Sequence, residues 1–341
     1  MKLSKKGFSI AIPAYSRVKE FEELLMSIYD MSFLPNEIVI CEDGSKERKE
    51  LSIIGSQWKE RFQEKNCNLI FIENETNLGY DANVRKLIEV SSFKWVVLIG
   101  NDDLFLKDGL SILNEFTNRN ENISMVSRPF IRFSDDINKP LGVSTIDNKE
   151  NIYSNSNSNS SKMIFRSCGF VGGLVINRDW ALPLATKKYD GSLYYQIYLA
   201  CIAFCTNGIG YLKSPTVGGR TGNPPLFGSS KSESEIHIPG AYSAKGRAKM
   251  WKSVLDISQD IEETYKVDIY KDLKKELMVK QSFHVFEMNV GVGVKELKKL
   301  KSELNKIELF DHIVPKFLFS LNCFLGRNAL IFYRLIRKIV Q

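Results

Sequence analysis

Lys94-Trp95-Val96-Val97-Leu98-Ile99-Gly100-Asn101-Asp102-Asp103 is a short, nearly continuous apolar run that ends in two adjacent carboxylates. A run of this length with no polar alternation reads as a strand buried on both faces, the signature of a parallel sheet. The two carboxylates repel each other, and their pairing becomes favourable when a hard divalent cation neutralises them. The same pair would also suit a helix N-terminus, and the pattern alone leaves both readings open.

Three similar units precede it. Phe8 to Pro13 is a short apolar strand, and Lys19 to Asp30 sets Phe21, Leu24, Leu25 and Ile28 at helical spacing. Glu37 to Cys41 is a second strand, followed by a charged helical stretch from Glu47 to Glu64. Asn68 to Ile72 is a third strand, and Tyr80 to Val90 a helix that buries Val84, Leu87 and Ile88. Leu110, Leu113 and Phe116 mark the helix after the fourth strand. Apolar strands alternating with amphipathic helices predict an α/β fold with a mostly parallel, Rossmann-like sheet and helices on both faces. Ligands of such sheets lie at the carboxyl ends of the strands. Here those ends carry Pro13-Ala14-Tyr15-Ser16-Arg17, Glu42-Asp43-Gly44-Ser45, Asn74 to Gly79 and Gly100 to Asp103. Asp43-Gly44-Ser45 taken alone is ordinary turn chemistry.

Beyond residue 130 the pattern loosens. Ser154 to Ser161 is a serine and asparagine run that reads as a mobile loop or linker. Gly169 to Asn177 regains strand character, Ser192 to Cys205 is an apolar helix, and Gly218 to Gly228 is loop by composition. From about Ala244 the pattern is helical. The expected division is therefore 1–243 as an α/β domain, split at residue 130 where the pattern loosens, and 244–341 as a helical region.

The 341 residues are 43% hydrophobic and 26% charged, which excludes collagenous, disordered and polytopic membrane classes. Six scattered cysteines form no CxxC pair, so neither a disulfide framework nor a zinc site is expected. The N-terminus lacks a signal-peptide core, and a cytoplasmic location is expected. Of the net charge of +7, six charges fall in the last 47 residues. A neutral body with a basic tail points to an anionic membrane surface rather than to nucleic acid. Lys316 to Gln341 reads as one basic amphipathic helix, with Ser320, Arg327, Arg334 and Gln341 every seventh residue and Lys338 beside them. They oppose an apolar face of Phe317, Leu321, Phe324, Leu325, Ile331, Phe332, Leu335 and Ile339. Such a helix lies in the headgroup region, which makes the expected location peripheral to the inner face of the cell membrane; packing in a homodimer is its other use.

A strand ending in IPAY, an Asp-Gly-Ser turn, NLGYDANVR and an acidic pair after strand four, in that order, resemble the family two glycosyltransferases of the GT-A fold. GFVGGLVINRDW, YDGSLYYQIYL and GGRTGN extend the likeness toward the bacterial abequosyltransferase-like branch, which builds surface polysaccharides. The resemblance implies an inverting transfer of a sugar from a nucleoside diphosphate sugar to a saccharide acceptor on a polyprenyl carrier, with 1–130 as the nucleotide-sugar binding part and 131–243 as the acceptor-side part. It implies that Pro13, Tyr15 and Arg17 lie against the nucleoside and that Asp43 reads the base or ribose. Asn77, Gly79, Asn83 and Arg85 fall on the donor-holding segment NxGxxxxxR. Asp102 and Asp103 match the acidic motif, Asp103 as ligand of Mg2+ or Mn2+ and Asp102 as a second ligand near the ribose. Gly100 and Asn101 stand where the fuller motif is acidic. The family's Glu-Asp base pair is missing from Lys188 to Gln196, and Asp190 is the nearest carboxylate for that role. Arg220, expected in a flexible loop, would steady the leaving diphosphate. A nucleotidyltransferase would open with a glycine-rich basic loop, which IPAYSRVKE is not. The missing Glu-Asp pair leaves a noncatalytic scaffold of the same fold, docked through its tail, as the alternative.

Overall fold

The computed structural model describes residues 4–157 and 159–340, apart from the side chains of Arg334 and 336–340. Its first half alternates strand and helix: β1 (Lys5–Ala14), α1 (Val18–Tyr29), β2 (Glu37–Glu42), α2 (Arg48–Glu64), β3 (Asn68–Glu73), α3 (Tyr80–Val90), β4 (Phe93–Leu98), β5 (Leu104–Phe105) and α4 (Gly109–Arg119). The middle holds β6 (Met125–Ser127), β7 (Phe130–Phe133), β8 (Gly142–Ser144), β9 (Asn151–Tyr153), α5 (Lys162–Cys168), β10 (Leu174–Asn177), α6 (Arg178–Ala181), α7 (Tyr195–Cys205), β11 (Ile209–Tyr211) and β12 (Val217–Arg220). Six helices follow: α8 (Ala244–Tyr265), α9 (Tyr270–Glu276), α10 (Ser282–Met288), α11 (Val294–Lys306), α12 (Ile313–Leu325) and α13 (Ala329–Val340).

The large sheet has the order β3-β2-β1-β4-β10-β6-β11-β9. Strands β3, β2, β1 and β4 are mutually parallel, as the apolar runs predict. The other half is mixed, because β10 runs antiparallel to both β4 and β6, and β9 antiparallel to β11. Short antiparallel strands need no helical crossover, so the interleaved pattern that marks a parallel sheet in sequence disappears there. A second sheet, β5-β12-β7-β8, stands beside the acidic end of β4.

Alternation along the strands divides the core between the two faces. Phe8, Ile10, Ile12, Ile38, Ile40, Trp95 and Val97 pack against α1, α2 and α4. Ala11, Val39, Cys41, Val96 and Leu98 face α3, α5 and α7. Helix α7 is buried on almost every side, which explains its unbroken apolar sequence. Its outer surface is covered by α8, and the same apolar cluster continues through Trp251, Val254, Phe286 and Leu300 to Leu318.

Three local readings change. Gly218 and Gly219 are strand residues of β12, paired with β7 and β5; side-chain atoms there would collide with Ile137, Phe133, Phe130 and Phe170, so glycine reports close packing rather than a loop. The serine run is anchored at its far end, where Ser160 donates to Asp272 at 2.5 Å and Ser161 is buried. The tail is two helices: Gly326, at φ 51° and ψ −127°, ends α12, and a single turn leads into α13. Of the tail residues assigned to the polar and apolar stripes, the side chains of Arg334, Lys338 and Ile339, and Gln341 itself, lie outside the described residues. The six cysteines are free, and burial pushes the Cys41 and Cys67 thiols up to about 12.

Gly109 opens α4 directly against the carbonyl oxygen of Thr216, the residue before β12. Backbone cannot swing aside as a side chain does, so Gly109→Ala should cost about 1–3 kcal/mol in stability by overpacking. Denaturant unfolding of the variant checks this, and an unchanged midpoint would refute it.

Candidate functional site

The turn from β1 into α1 holds Ser16 and Arg17 in the left-handed region, at φ 55° and 62°. Neither residue favours that conformation, and side chains around the turn hold it. Asn101 donates to the Ser16 carbonyl at 2.8 Å, and Ser16 Oγ donates to Glu47 at 2.6 Å. The turn delivers the Arg17 guanidinium to Asp102, with which it pairs through Nη1, while Nη2 reaches the Pro224 carbonyl at 2.7 Å. Tyr15 and Pro13 are half-buried beside it.

Asp102 and Asp103 both lean over Gly100: a side-chain atom built there would lie 3.3 Å from Asp102 Oδ1 and 3.2 Å from Asp103 Oδ2. Asp103 is buried, and its Oδ1 accepts from the Arg220 amide at 3.0 Å. Burial first, and the neighbouring Asp102 charge second, push its carboxyl well above the usual range. Gly172 leaves the room Asp103 needs, since a side-chain atom there would collide with its Oδ2. The Arg220 side chain is committed: Nε donates to the Asp102 carbonyl at 2.8 Å, Nη1 to Ser134 at 3.2 Å and Nη2 to Glu23 at 2.5 Å. Arg220 thus closes β12 as a brace behind the acidic pair, instead of riding a flexible loop. A cleft of about 290 Å³ opens beside it, between Glu23, Asp135 and Asn223.

At the end of β2, neighbouring carboxylates have different settings. Burial works against the charge of Glu42, but donors from Ser45, Arg48 and Gly44 outweigh it and hold its carboxyl below the usual range. Asp43 is buried and accepts from Asn74 Nδ2 (2.7 Å) and the amides of Leu78 (2.8 Å) and Gly79 (3.0 Å). Burial outweighs those bonds and raises its pKa. Gly79 turns into α3 at φ 86°, a conformation that suits glycine, with Asn77 Oδ1 accepting from the same amide. Asn83 closes the network, accepting from Asn74 and donating to the Cys41 carbonyl, both at 3.1 Å.

Helix α3 then grips the segment that leads into α7. Asp81 is buried and accepts from the amides of Leu193 and Tyr195, both at 2.9 Å, and from Ser192 Oγ at 3.3 Å. Its carboxylate therefore holds the first turn of α7, whose amides have no partner within that helix. Burial lifts Asp81 to about 7. One turn along, Arg85 forms a two-pronged pair with Asp190 at 2.5 and 2.9 Å and also donates to the Thr186 carbonyl. Both oxygens of the carboxylate assigned as base are thus engaged by an arginine assigned to the donor. A second cleft of about 540 Å³ runs along this pair, lined by Leu78, Ala82, Lys86 and Lys187.

Segment 221–243 crosses the strand ends. Asn223 donates to Asp102 at 3.1 Å, and buried Glu233 accepts from the amides of Tyr80 at 2.8 Å and Gly228 at 2.7 Å. The segment therefore touches both the acidic pair and the start of α3.

GT-A folds imply a divalent cation, and the donor set offered here is two hard carboxylates with no third group close enough to complete a cluster among the described residues. A buried Asp103 whose ionised form is disfavoured by Asp102 gains from a cation at that point, and the remaining ligands of a hard ion can come from phosphate and water. The residues fit such an ion in that shared form.

A parallel sheet whose strand ends carry Arg17, Asp43 and an acidic pair is the arrangement of a GT-A fold. Residues 9–178 match the family model described as Glycosyl transferase family 2, and the chain belongs to that family. It is 25% identical over 226 residues to the abequosyltransferase RfbV of Salmonella typhimurium, covering 61% of this chain and 65% of that protein, just under two thirds of its length. It is 26% identical over 121 residues to an uncharacterized glycosyltransferase of Haemophilus influenzae, covering 36% of this chain and 38% of the relative. The fold is shared with residues 1–349 of TarS from S. aureus, at a TM-score of 0.60 and 15% identity over 96% of this chain and 89% of that one. It is also shared with the mannosyltransferase PcManGT from Pyrobaculum calidifontis, solved with GDP-Man and Mn2+, at a TM-score of 0.55 and 12% identity over 98% and 83% of the two chains.

Sequence reasoning missed Asp81, Glu233 and Arg128. Arg128 is a buried cation that donates to the carbonyls of Phe170 and Gly172 and stands close enough to Asp103 to offset its charge. Asp81 lay inside the quoted NLGYDANVR, but nothing local points to α7, more than a hundred residues away.

The Asp81 setting carries a pH signature. The folded carboxyl keeps its proton up to about 7, whereas an unfolded aspartate loses it near about 4, so between those values the folded state binds more protons. Stability then falls as pH rises through that window, and the raised pKa values of Asp43 and Asp103 act in the same direction. Thermal denaturation should show Tm dropping from about pH 5 to about pH 8, with a weaker slope in Asp81→Asn. Equal slopes in the two proteins would remove Asp81 from the account.

Proposed function

We propose that the protein is an inverting glycosyltransferase that moves a sugar from a nucleoside diphosphate sugar to a saccharide acceptor, carried on a lipid, in the building of a bacterial surface polysaccharide. The observation that carries this reading is the convergence of Arg17, Asp43, Asp102 and Asp103 on the carboxyl ends of three adjacent parallel strands. Asp43, held by the Leu78 and Gly79 amides, presents a fixed carboxylate to the nucleoside. Arg17 brings a planar guanidinium beside the acidic pair, where Nη1 rests on Asp102 and Nη2 on the Pro224 carbonyl. Asp102 and Asp103 would hold Mg2+ or Mn2+, which would supply Lewis acidity to the leaving diphosphate. Arg128 and Arg220 keep the acidic pair in register from behind.

In an inverting displacement the acceptor oxygen attacks the anomeric carbon, the bond to the diphosphate breaks on the opposite side, and the hydroxyl proton passes to a base. Asp190 is the proposed base; its pairing with Arg85 and the hold of Asp81 on the following residues fix its place beside the helix that shapes the acceptor side. The relative named as an abequosyltransferase supports a deoxysugar among the candidate donors.

Calorimetric titration with UDP, GDP, CDP and dTDP, with and without Mn2+, tests the donor site. One nucleotide should bind, and Asp43→Ala and Asp103→Ala should each weaken it by about tenfold or more, as expected for losing a charged hydrogen-bond partner or ligand. Folded protein that binds none of them would overturn the transferase reading in favour of a noncatalytic scaffold. With donor and acceptor in hand, Asp190→Asn should lower kcat by about 100-fold or more at unchanged nucleotide affinity. A rate near wild type would move the base elsewhere.

A further inference from the structure

We infer that α12 and α13 form a two-helix foot that docks on an anionic lipid bilayer, lying in the headgroup plane. The inference deepens the reading of a lipid-linked acceptor, but its evidence is the surface itself.

The inner side of the pair is fixed. Pro315, Leu318 and Asn322 of α12 are buried, and Asn322 donates to the Phe286 carbonyl at 2.7 Å while accepting from Tyr333 of α13 at 3.0 Å. Among the described residues, no element covers the outer side. Ile313, Phe317 and Phe324 are 75%, 53% and 88% exposed, and Ile331 and Leu335 are 59% and 52% exposed. Residues 313, 317 and 324 share one helical face, as do 331 and 335. The loop before α11 joins them: Gly291 sits against Arg327, and the neighbouring Val292 and Val294 are exposed as well. Nine of the fifteen exposed large hydrophobic side chains among the described residues fall between 288 and 335. An exposed apolar surface concentrated in this way marks an interaction site.

Charge selects the occupant. Beyond Asp311 the chain carries Lys316, Arg327, Arg334, Arg337 and Lys338 and no acidic residue. A second copy apposing the same face would bring like charges together, whereas anionic headgroups complement them. No described helix is long and apolar enough to cross a membrane, so the contact is in-plane.

The test is co-flotation of the full chain with phosphatidylcholine vesicles, with and without phosphatidylglycerol. Binding is expected with phosphatidylglycerol and should weaken with salt. Lys316→Glu with Arg327→Glu should lower it by about tenfold, and Phe324→Asp with Ile331→Asp should abolish it. These positions are exposed, so Tm and nucleotide titrations should match wild type, which separates failure here from failure of the donor-site reading. No flotation of the wild type, or undiminished flotation of the Asp variant, would overturn the inference. Light scattering that shows a dimer, made monomeric by the same Asp variant, would give the face to a second copy and overturn it equally.

Discussion

A carboxylate withdrawn from water must find donors, and at the carboxyl ends of this sheet the donors are backbone amides of the next element in line. Asp43 is satisfied by the amides that lead into α3, and Asp81, at the start of α3, is satisfied by the amides that begin α7. The two buried acids are therefore links in one chain of support running from β2 through α3 to α7. Remove either, and several amides lose their partner together, a cost that falls on the position of whole elements rather than on one contact. Arg85 and Asp190 reinforce the same joint from one turn further along.

The acidic pair is supported in a different way, by cations. Arg17 comes from a strained turn, Arg128 from beneath and Arg220 from the end of a neighbouring strand. Arg17 and Arg220 have further donors tied to carbonyls or to a second acid, and Arg128 donates to the carbonyls of Phe170 and Gly172. Fixed positive charge near Asp103 offsets only part of the effect of burial and of the Asp102 charge, and its carboxyl stays above the usual range.

Much of the first half was legible in sequence because each element there declares itself locally. Tyr80–Val90 is the helix expected, and the four parallel strands fall where apolar runs end in polar residues. Three things were not legible, each for a physical reason. Gly218 and Gly219 look like loop because glycine has no side chain to show a period, yet they are needed to fit beneath aromatic rings. Asp81, Glu233 and Arg128 act across long sequence separations, and a partner's identity is not written near them. The break at Gly326 is hidden because the apolar spacing continues in phase across it. The place of Asp43, Asp102 and Asp103 at the carboxyl ends of β2 and β4 was legible in the sequence, whereas the pairing of Arg85 with Asp190 needed the folded chain.

The continuous cluster that passes from the sheet through α7 into α8 and on to Leu318 bears on how such a protein can evolve. A helical appendage joined by a linker can be exchanged between chains by recombination, but here the appendage supplies the far wall of the core that α7 needs. Cutting at Ala244 would expose an apolar helix on its outer side and leave a remnant prone to aggregate. Change at this end of the molecule must therefore come by substitution on the outward surfaces of the helices, with the inward surfaces held to the sheet they cover.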